Sequence, residues 1–189
     1  MRTAVRADAV ANREAIITAV IKLWADAGTG VPLRAIASEA GVGIGTLYRH
    51  FPDKEDLARG VTDAVVASID RIAERYDDNR REDPASAWRD FVAELVSLHL
   101  GRLIPQLVAD PDLTANAAWA ERARRRGLAR LDAVLTHAKA DGQVRDDVGA
   151  AHLQIAVAQI SCPLTDYADR LVPGWDRWLV EVLLRGLRP

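Results

Sequence analysis

Donor-bearing side chains crowd one short stretch of the chain. From Ala35 to Phe51 it reads Ala-Ile-Ala-Ser-Glu-Ala-Gly-Val-Gly-Ile-Gly-Thr-Leu-Tyr-Arg-His-Phe, and Lys54 follows three residues later. Thr46, Tyr48, Arg49, His50 and Lys54 offer hydroxyl, imidazole and cationic groups suited to phosphate oxygens and base edges. Covalent chemistry has no comparable set. The four histidines, His50, His99, His137 and His152, are widely separated, and a single cysteine, Cys162, excludes a paired-cysteine metal site or a disulfide framework. No serine sits in a nucleophile elbow. Gly41-Val42-Gly43-Ile44-Gly45 lacks the spacing of a dinucleotide loop, no strand precedes it, and Tyr48 stands where a third glycine belongs. The expectation is a protein without catalysis, metal or cofactor.

The stretch needs two short helices to present it. Ile36, Ala37 and Ala40 mark the first and Leu47, Tyr48 and Phe51 the second, with Gly41 breaking the chain between them. Glycine takes a positive φ without a Cβ clash, so it can turn a chain sharply between helices. Such a pair reads as a helix-turn-helix, whose second helix enters the major groove of DNA.

The surrounding pattern is helical throughout. Residues 1–11, with Arg2 and Arg6, read as a mobile arm. A first helix runs from about Asn12 to Ala27, with Ile16, Val20, Leu23 and Trp24 on its core face. The second spans about Leu33 to Ala40 after Pro32, and the third about Ile44 to His50 before Pro52. Asp53 caps a long fourth helix, about Lys54 to Tyr76. A charged loop, Asp77 to Pro84, precedes an apolar segment from Trp88 to Leu103, with breaks at Pro105 and Pro111. One helix then runs from about Leu113 to Ala140, the next from about Val148 to Cys162 behind Asp146 or Asp147, and the last from about Trp175 to Leu187. Strand alternation, repeats and low-complexity tracts are absent. The fold class is all-α, with about nine helices and a three-helix head.

Composition sets the context. About half of the 189 residues are apolar, no apolar run reaches the roughly 18 residues of a membrane span, and the N-terminus lacks a signal-peptide core. A cytoplasmic protein with no membrane partner is expected. Net charge is −2, and residues 1–60 carry eight basic against seven acidic side chains. A DNA-binding reading therefore rests on local placement and not on bulk charge. Arginine outnumbers lysine 22 to 3, which suggests a G+C-rich source.

The run from Ile36 to Leu57, centred on Gly-Thr-Leu-Tyr-Arg-His-Phe and followed by Pro52, Asp53, Lys54 and Glu55, resembles the DNA-binding head of TetR-family transcriptional regulators. The resemblance covers about residues 12–60. It implies an all-α homodimer, in most members a repressor, whose variable C-terminal part dimerises and binds a small-molecule effector. The implied division is residues 1–55 for DNA binding and 56–189 for ligand binding and dimerisation.

Carried over by position, the implied contacts to double-stranded DNA are Arg34, Gly43, Ile44, Gly45, Thr46, Tyr48, Arg49, His50 and Lys54. Gly43 and Gly45 leave the start of the third helix uncluttered for close approach to DNA. Thr46 offers a hydroxyl and a methyl to a phosphate or a thymine edge. Arg49, His50 and Lys54 can meet phosphate oxygens, Lys54 in a helical first turn that already favours an anion. Two positions depart from the family pattern: Pro32 or Val31 stands where a hydroxyl cap of the second helix is common, and Gly43 stands where serine is common.

The other reading is a helical adaptor that keeps this head without specific DNA binding.

In the C-terminal part, Trp88, Phe91, Leu95, His99, Trp119 and Gln159 either wall a ligand cavity or form plain core. His152, Ile155, Ala156 and Gln159 share one helical face. Trp175, Trp178, Leu179, Val182 and Leu183 add apolar bulk to the last helix. The two helices are the expected dimer interface, as a four-helix bundle with their copies. A two-fold dimer then calls for a near-palindromic operator. Arg122, Arg124, Arg125, Arg126 and Arg130 read as a solvated face, with an anion pocket the other possibility. Cys162 is expected in the core.

Overall fold

A computed structural model describes residues 2–114, 118–162 and 170–189. Among these the chain is helical and has no strand. The helices are α1 (Arg2–Ala27), α2 (Leu33–Glu39), α3 (Ile44–His50), α4 (Lys54–Asn79), α5 (Pro84–Ser97), α6 (Leu100–Ala109), α7 (Pro111–Thr114), α8 (Ala118–Ala140), α9 (Ala150–Ile160) and α10 (Trp175–Leu187). No single described helix is long and apolar enough to cross a membrane. The chain divides into two compact units. One holds residues 1–64 and 103–120, the other residues 65–102 and 121–189.

In the first unit α1, α2 and α3 pack on one another. Ile16, Val20 and Trp24 of α1 are buried with Ile36 and Ala37 of α2, with Leu47 and Phe51, and with Leu57, Ala58 and Val61 of α4. Each large apolar side chain so buried contributes roughly 1.5–3 kcal/mol, which fixes α3 by its inner face while leaving its outer face free. Gly60 makes room for this packing. A Cβ there would lie 2.7 Å from Ile17 Cδ1 and 2.8 Å from Phe51 Cε1.

The second unit is organised around aromatic rings. Tyr76, Trp88 and Phe91 form a cluster, with Trp88 stacked on Phe91 at 5.6 Å between centroids and Tyr76 tilted against Phe91 at 5.4 Å. Leu131 and Leu135 of α8, Leu153 and Val157 of α9, and Val180 and Leu184 of α10 complete that core. Burial pushes the Tyr76 hydroxyl up to about 12, and it has no hydrogen-bond partner among the described residues. The α8 arginines lie against carboxylates: Arg124 and Arg125 pair with Glu121, Arg126 with Asp70 and Arg130 with Asp77. Opposite charge is thus already supplied to four of the five.

Several sequence expectations need correction. The arm is not separate, because α1 begins at Arg2. The alanines at 4, 7, 9 and 11 are strong helix formers, and Asn12 lies inside the helix, not at its cap. The fourth helix runs on through Asp77 to Asn79, and the loop before α5 shrinks accordingly. Pro105 is carried within α6, where it forgoes the backbone bond to the carbonyl of residue 101. The break falls earlier, at His99, whose φ of 53° lies in the left-handed region that histidine tolerates better than most residues.

Gly149, not Asp146 or Asp147, precedes α9. The Asp132 carboxylate of α8 accepts from the Ala150 N–H at 3.2 Å. Asp147 instead pairs with Arg145. Cys162 is exposed, just past the end of α9, where the half-buried Ile160 takes the inward position. Residues 115–117 of the expected single helix, and the proline expected to end α9, Pro163, lie outside the described residues.

Candidate nucleic-acid interface

The turn between α2 and α3 is closed by backbone bonds around a left-handed glycine. Gly41 has φ 67°. The Gly41 N–H donates to the Ser38 carbonyl at 3.1 Å, and the Val42 N–H to the Ala37 carbonyl at 3.0 Å. Those two bonds are the Schellman closure of a helix, and they satisfy carbonyls that would otherwise be orphaned. Gly43, extended at φ −69° and ψ 145°, then starts α3, where its carbonyl accepts from the Thr46 and Leu47 N–H groups. Neither Pro32 nor Gly43 offers a side-chain cap, as their residue types dictate.

The sequence-predicted contacts divide by exposure. Leu47 and Phe51 turn inward and are buried. Gly43, Ile44, Gly45, Tyr48 and Arg49 are exposed, as is Arg34 in the first turn of α2, while Thr46 and His50 are half-buried. Tyr48 leaves 50% of its surface in solvent. Added Cβ atoms at Gly43 and Gly45 would meet nothing within 4 Å, so the start of α3 is open to an approaching ligand backbone. Arg49 and His50 occupy the last turn of α3, where positive charge suits the helix dipole.

Ion pairs sort the cations of this unit. Lys22 is held by Glu39, Arg59 by Glu55, and the Arg13 guanidinium lies 5.1 Å from the Phe51 ring centroid. Lys54, the candidate contact at the head of α4, gives its Nζ to Asp110 Oδ2 at 2.5 Å. The same oxygen accepts from the Thr29 hydroxyl at 2.6 Å, and Asp110 Oδ1 accepts from the Asp112 N–H at 3.0 Å. With Lys54 and then Thr29 donating to it, the Asp110 carboxyl is lowered from 3.8 to about 2 despite its burial. Asp53 fills part of the α4 N-terminus, since its carboxylate accepts from the Asp56 N–H at 2.8 Å. Sequence reading had no signal for the Asp110 contact, which joins residues 56 apart.

The six ligand-site candidates differ in burial. Trp88, Phe91 and Leu95 are packed core. His99 is exposed at the left-handed corner, and Gln159 is exposed on α9. Trp119 belongs to the other compact unit. Two small clefts border the aromatic cluster, each of about 180 Å³. One is lined by Tyr76, Phe91, Asp90 and the Arg75–Glu94 ion pair, the other by Trp88, Gln143, Arg185 and Arg188.

The dimer candidates stand out differently. Ile155 is 62% exposed on α9 and Trp178 is 62% exposed on α10, two helices that touch each other. Val182 and His152 are exposed too, while Ala156, Trp175 and Leu179 are half-buried. His152 also turns its Nδ1 back to accept from the Gly149 N–H at 3.0 Å.

Comparison with known proteins places both parts. Residues 16–61 match the family described as bacterial regulatory proteins, tetR family. Residues 83–189, more than half of the chain, match the C-terminal domain of SbtR-like transcriptional regulators. A TetR transcriptional regulator from Streptomyces coelicolor has a similar fold, with TM-score 0.69 and 27% identity over 94% of this chain and 98% of that one. A TetR transcription regulatory protein from Mycobacterium vanbaalenii gives TM-score 0.65 and 29% identity over 98% and 99%. An HTH-type transcriptional regulator of Staphylococcus aureus strain USA300 is 38% identical over 79 residues, covering 39% of this chain and 43% of that protein. The chain thus matches less than half the length of that relative. With its head and its C-terminal half each matched, the chain belongs to the TetR family of transcriptional regulators.

Proposed function

We propose that the protein is a sequence-specific DNA-binding repressor that leaves a near-palindromic operator when it binds a small molecule. The observation that carries the reading is the outer face of α3. Tyr48, Arg49, Ile44 and two open glycines are exposed there, while Leu47 and Phe51 anchor the helix from behind. A helix so presented fits a major groove. Arg34, Thr46, His50 and Lys54 supply backbone contacts around it, and residues 1–55 form the DNA-binding part.

Dimerisation is assigned to α9 and α10. Exposed Ile155, Trp178 and Val182, flanked by Ala156, Trp175 and Leu179, make an apolar face of the kind that a second copy covers. Residues 56–189 then serve dimerisation and effector binding. A regulator from Mycobacterium smegmatis with a similar fold was solved with proflavine, and one from Bacillus subtilis with stearoyl-CoA. Those ligands are chemically unlike, and the two chains are 20% and 18% identical to this one, so the fold names no effector. Whatever the effector is, it releases DNA only by binding one arrangement of the dimer more tightly than the other.

Selection of duplexes from a random pool with the full-length protein tests this reading. A selected consensus with two inverted half-sites is expected. Enrichment of no sequence would instead favour a helical adaptor.

A further inference from the structure

We propose that Asp110 is a built-in competitor for phosphate at Lys54, and that it sets operator affinity by holding the ammonium that would otherwise engage the DNA backbone fully. The inference rests on the reading of Lys54 as a DNA contact. Three observations within one compact unit carry it.

The first is geometry. Lys54 opens α4 beside the recognition helix, yet its Nζ lies 2.5 Å from a carboxylate oxygen. Of the cations assigned to DNA, Arg34 and Arg49 have no ion pair among the described residues, so Lys54 alone among the three arrives already engaged. The second is the quality of the acceptor. Asp110 is only 9% exposed, and the Thr29 hydroxyl and the Asp112 N–H orient it. A carboxylate fixed in this way needs little further ordering to hold a cation, unlike the exposed pairs Lys22–Glu39 and Arg59–Glu55. Its lowered carboxyl keeps it charged at any pH at which DNA would bind.

The third is the local charge balance. The first turn of α4 carries Glu55 and Asp56, and Asp53 takes one of its backbone donors, so little but Lys54 is left there to attract a phosphate. A phosphate reaching this corner competes directly with Asp110 for the ammonium. The ammonium has three donors and can bridge both anions, but the neighbouring negative charge subtracts from the counterion-release gain. Asp110 is therefore a positioning residue that acts through Lys54, and removing its charge should strengthen binding, the opposite of what loss of a merely structural residue does.

The test uses the full-length protein and a duplex selected by the wild type, with binding followed by fluorescence anisotropy across salt. Asp110→Asn should tighten binding roughly tenfold at moderate salt. It should also steepen the slope of log K against log salt by about 0.9 per head. Lys54→Met should weaken binding, and in the Lys54→Met background Asp110→Asn should give no gain. Asp110→Ser, which keeps an acceptor for the Asp112 N–H, should repeat the gain and serves if the Asn variant fails to fold. Asp110→Glu, which retains the charge, should stay near the wild type. Weaker or unchanged binding in the folded neutral variants overturns the proposal alone. A gain that persists without Lys54 also overturns it. Unchanged binding in Lys54→Met removes both the proposal and the contact assignment beneath it.

Discussion

At the scale of single residues, the side chains facing outward from α3 owe their place to their inward neighbours. Leu47 and Phe51 are spaced four apart and buried, so Tyr48 and Arg49 must project the other way. That much was legible, because an i, i+4 relation between Leu47 and the residue that ends α3 is local in sequence. The Lys54–Asp110 pair was not, since its partners are 56 residues apart and the motif that marks Lys54 says nothing of Asp110. The pair has a consequence for pH. The Asp110 carboxyl sits near 2 when folded against an ordinary 3.8, so its contribution to stability is whole above about pH 4 and fades as pH falls towards 2. Chemical denaturation between pH 5 and pH 2 should show a shallower acid loss for Asp110→Asn than for the wild type. Tyr76 offers a second check. Its hydroxyl is buried with no hydrogen-bond partner among the described residues, so Tyr76→Phe should leave stability unchanged or raise it by about 1 kcal/mol at most, read from thermal denaturation.

At the scale of elements, the bounds of α3 and α10 coincide with those read from sequence, because glycine or proline punctuates both sides of α3 and Gly174 precedes α10. The α5–α6 corner was misplaced for the same reason in reverse. Pro105 is conspicuous in a sequence, whereas a left-handed histidine at 99 is not. What fixes that corner is a contact distant in sequence. The Gly101 N–H donates to the buried Ser161 hydroxyl at 2.9 Å, and a Cβ at Gly101 would stand 1.8 Å from the Ala158 carbonyl oxygen. Backbone cannot yield as a flexible side chain can. Gly101→Ala should therefore cost roughly 2–4 kcal/mol, seen as a fall in the urea midpoint, with Gly30→Ala, at an open position, as the mild comparison.

At the scale of the whole molecule, helical class and the head were readable because periodicity and one dense motif carry them. The interior of the second unit was less so. Trp88, Phe91 and Leu95 have the same apolar spacing whether they wall a cavity or fill a core, and the structure packs them as core. Assembly follows from what remains uncovered. Trp178→Glu should convert the proposed dimer to a monomer by light scattering at micromolar concentration, with helicity by circular dichroism retained, because Trp178 packs little within its own chain. A dimer that persists in this variant would move the interface elsewhere.

The central claim is that the outer face of α3 reads DNA, and the salt dependence of binding to the selected duplex tests it most directly. The wild type should lose affinity steeply and log-linearly as salt rises, as expected when several phosphates are neutralised. Tyr48→Ala should bind at least tenfold more weakly at every salt concentration, with its oligomeric mass unchanged. Salt-independent binding, or a Tyr48→Ala variant equal to the wild type, would contradict the account.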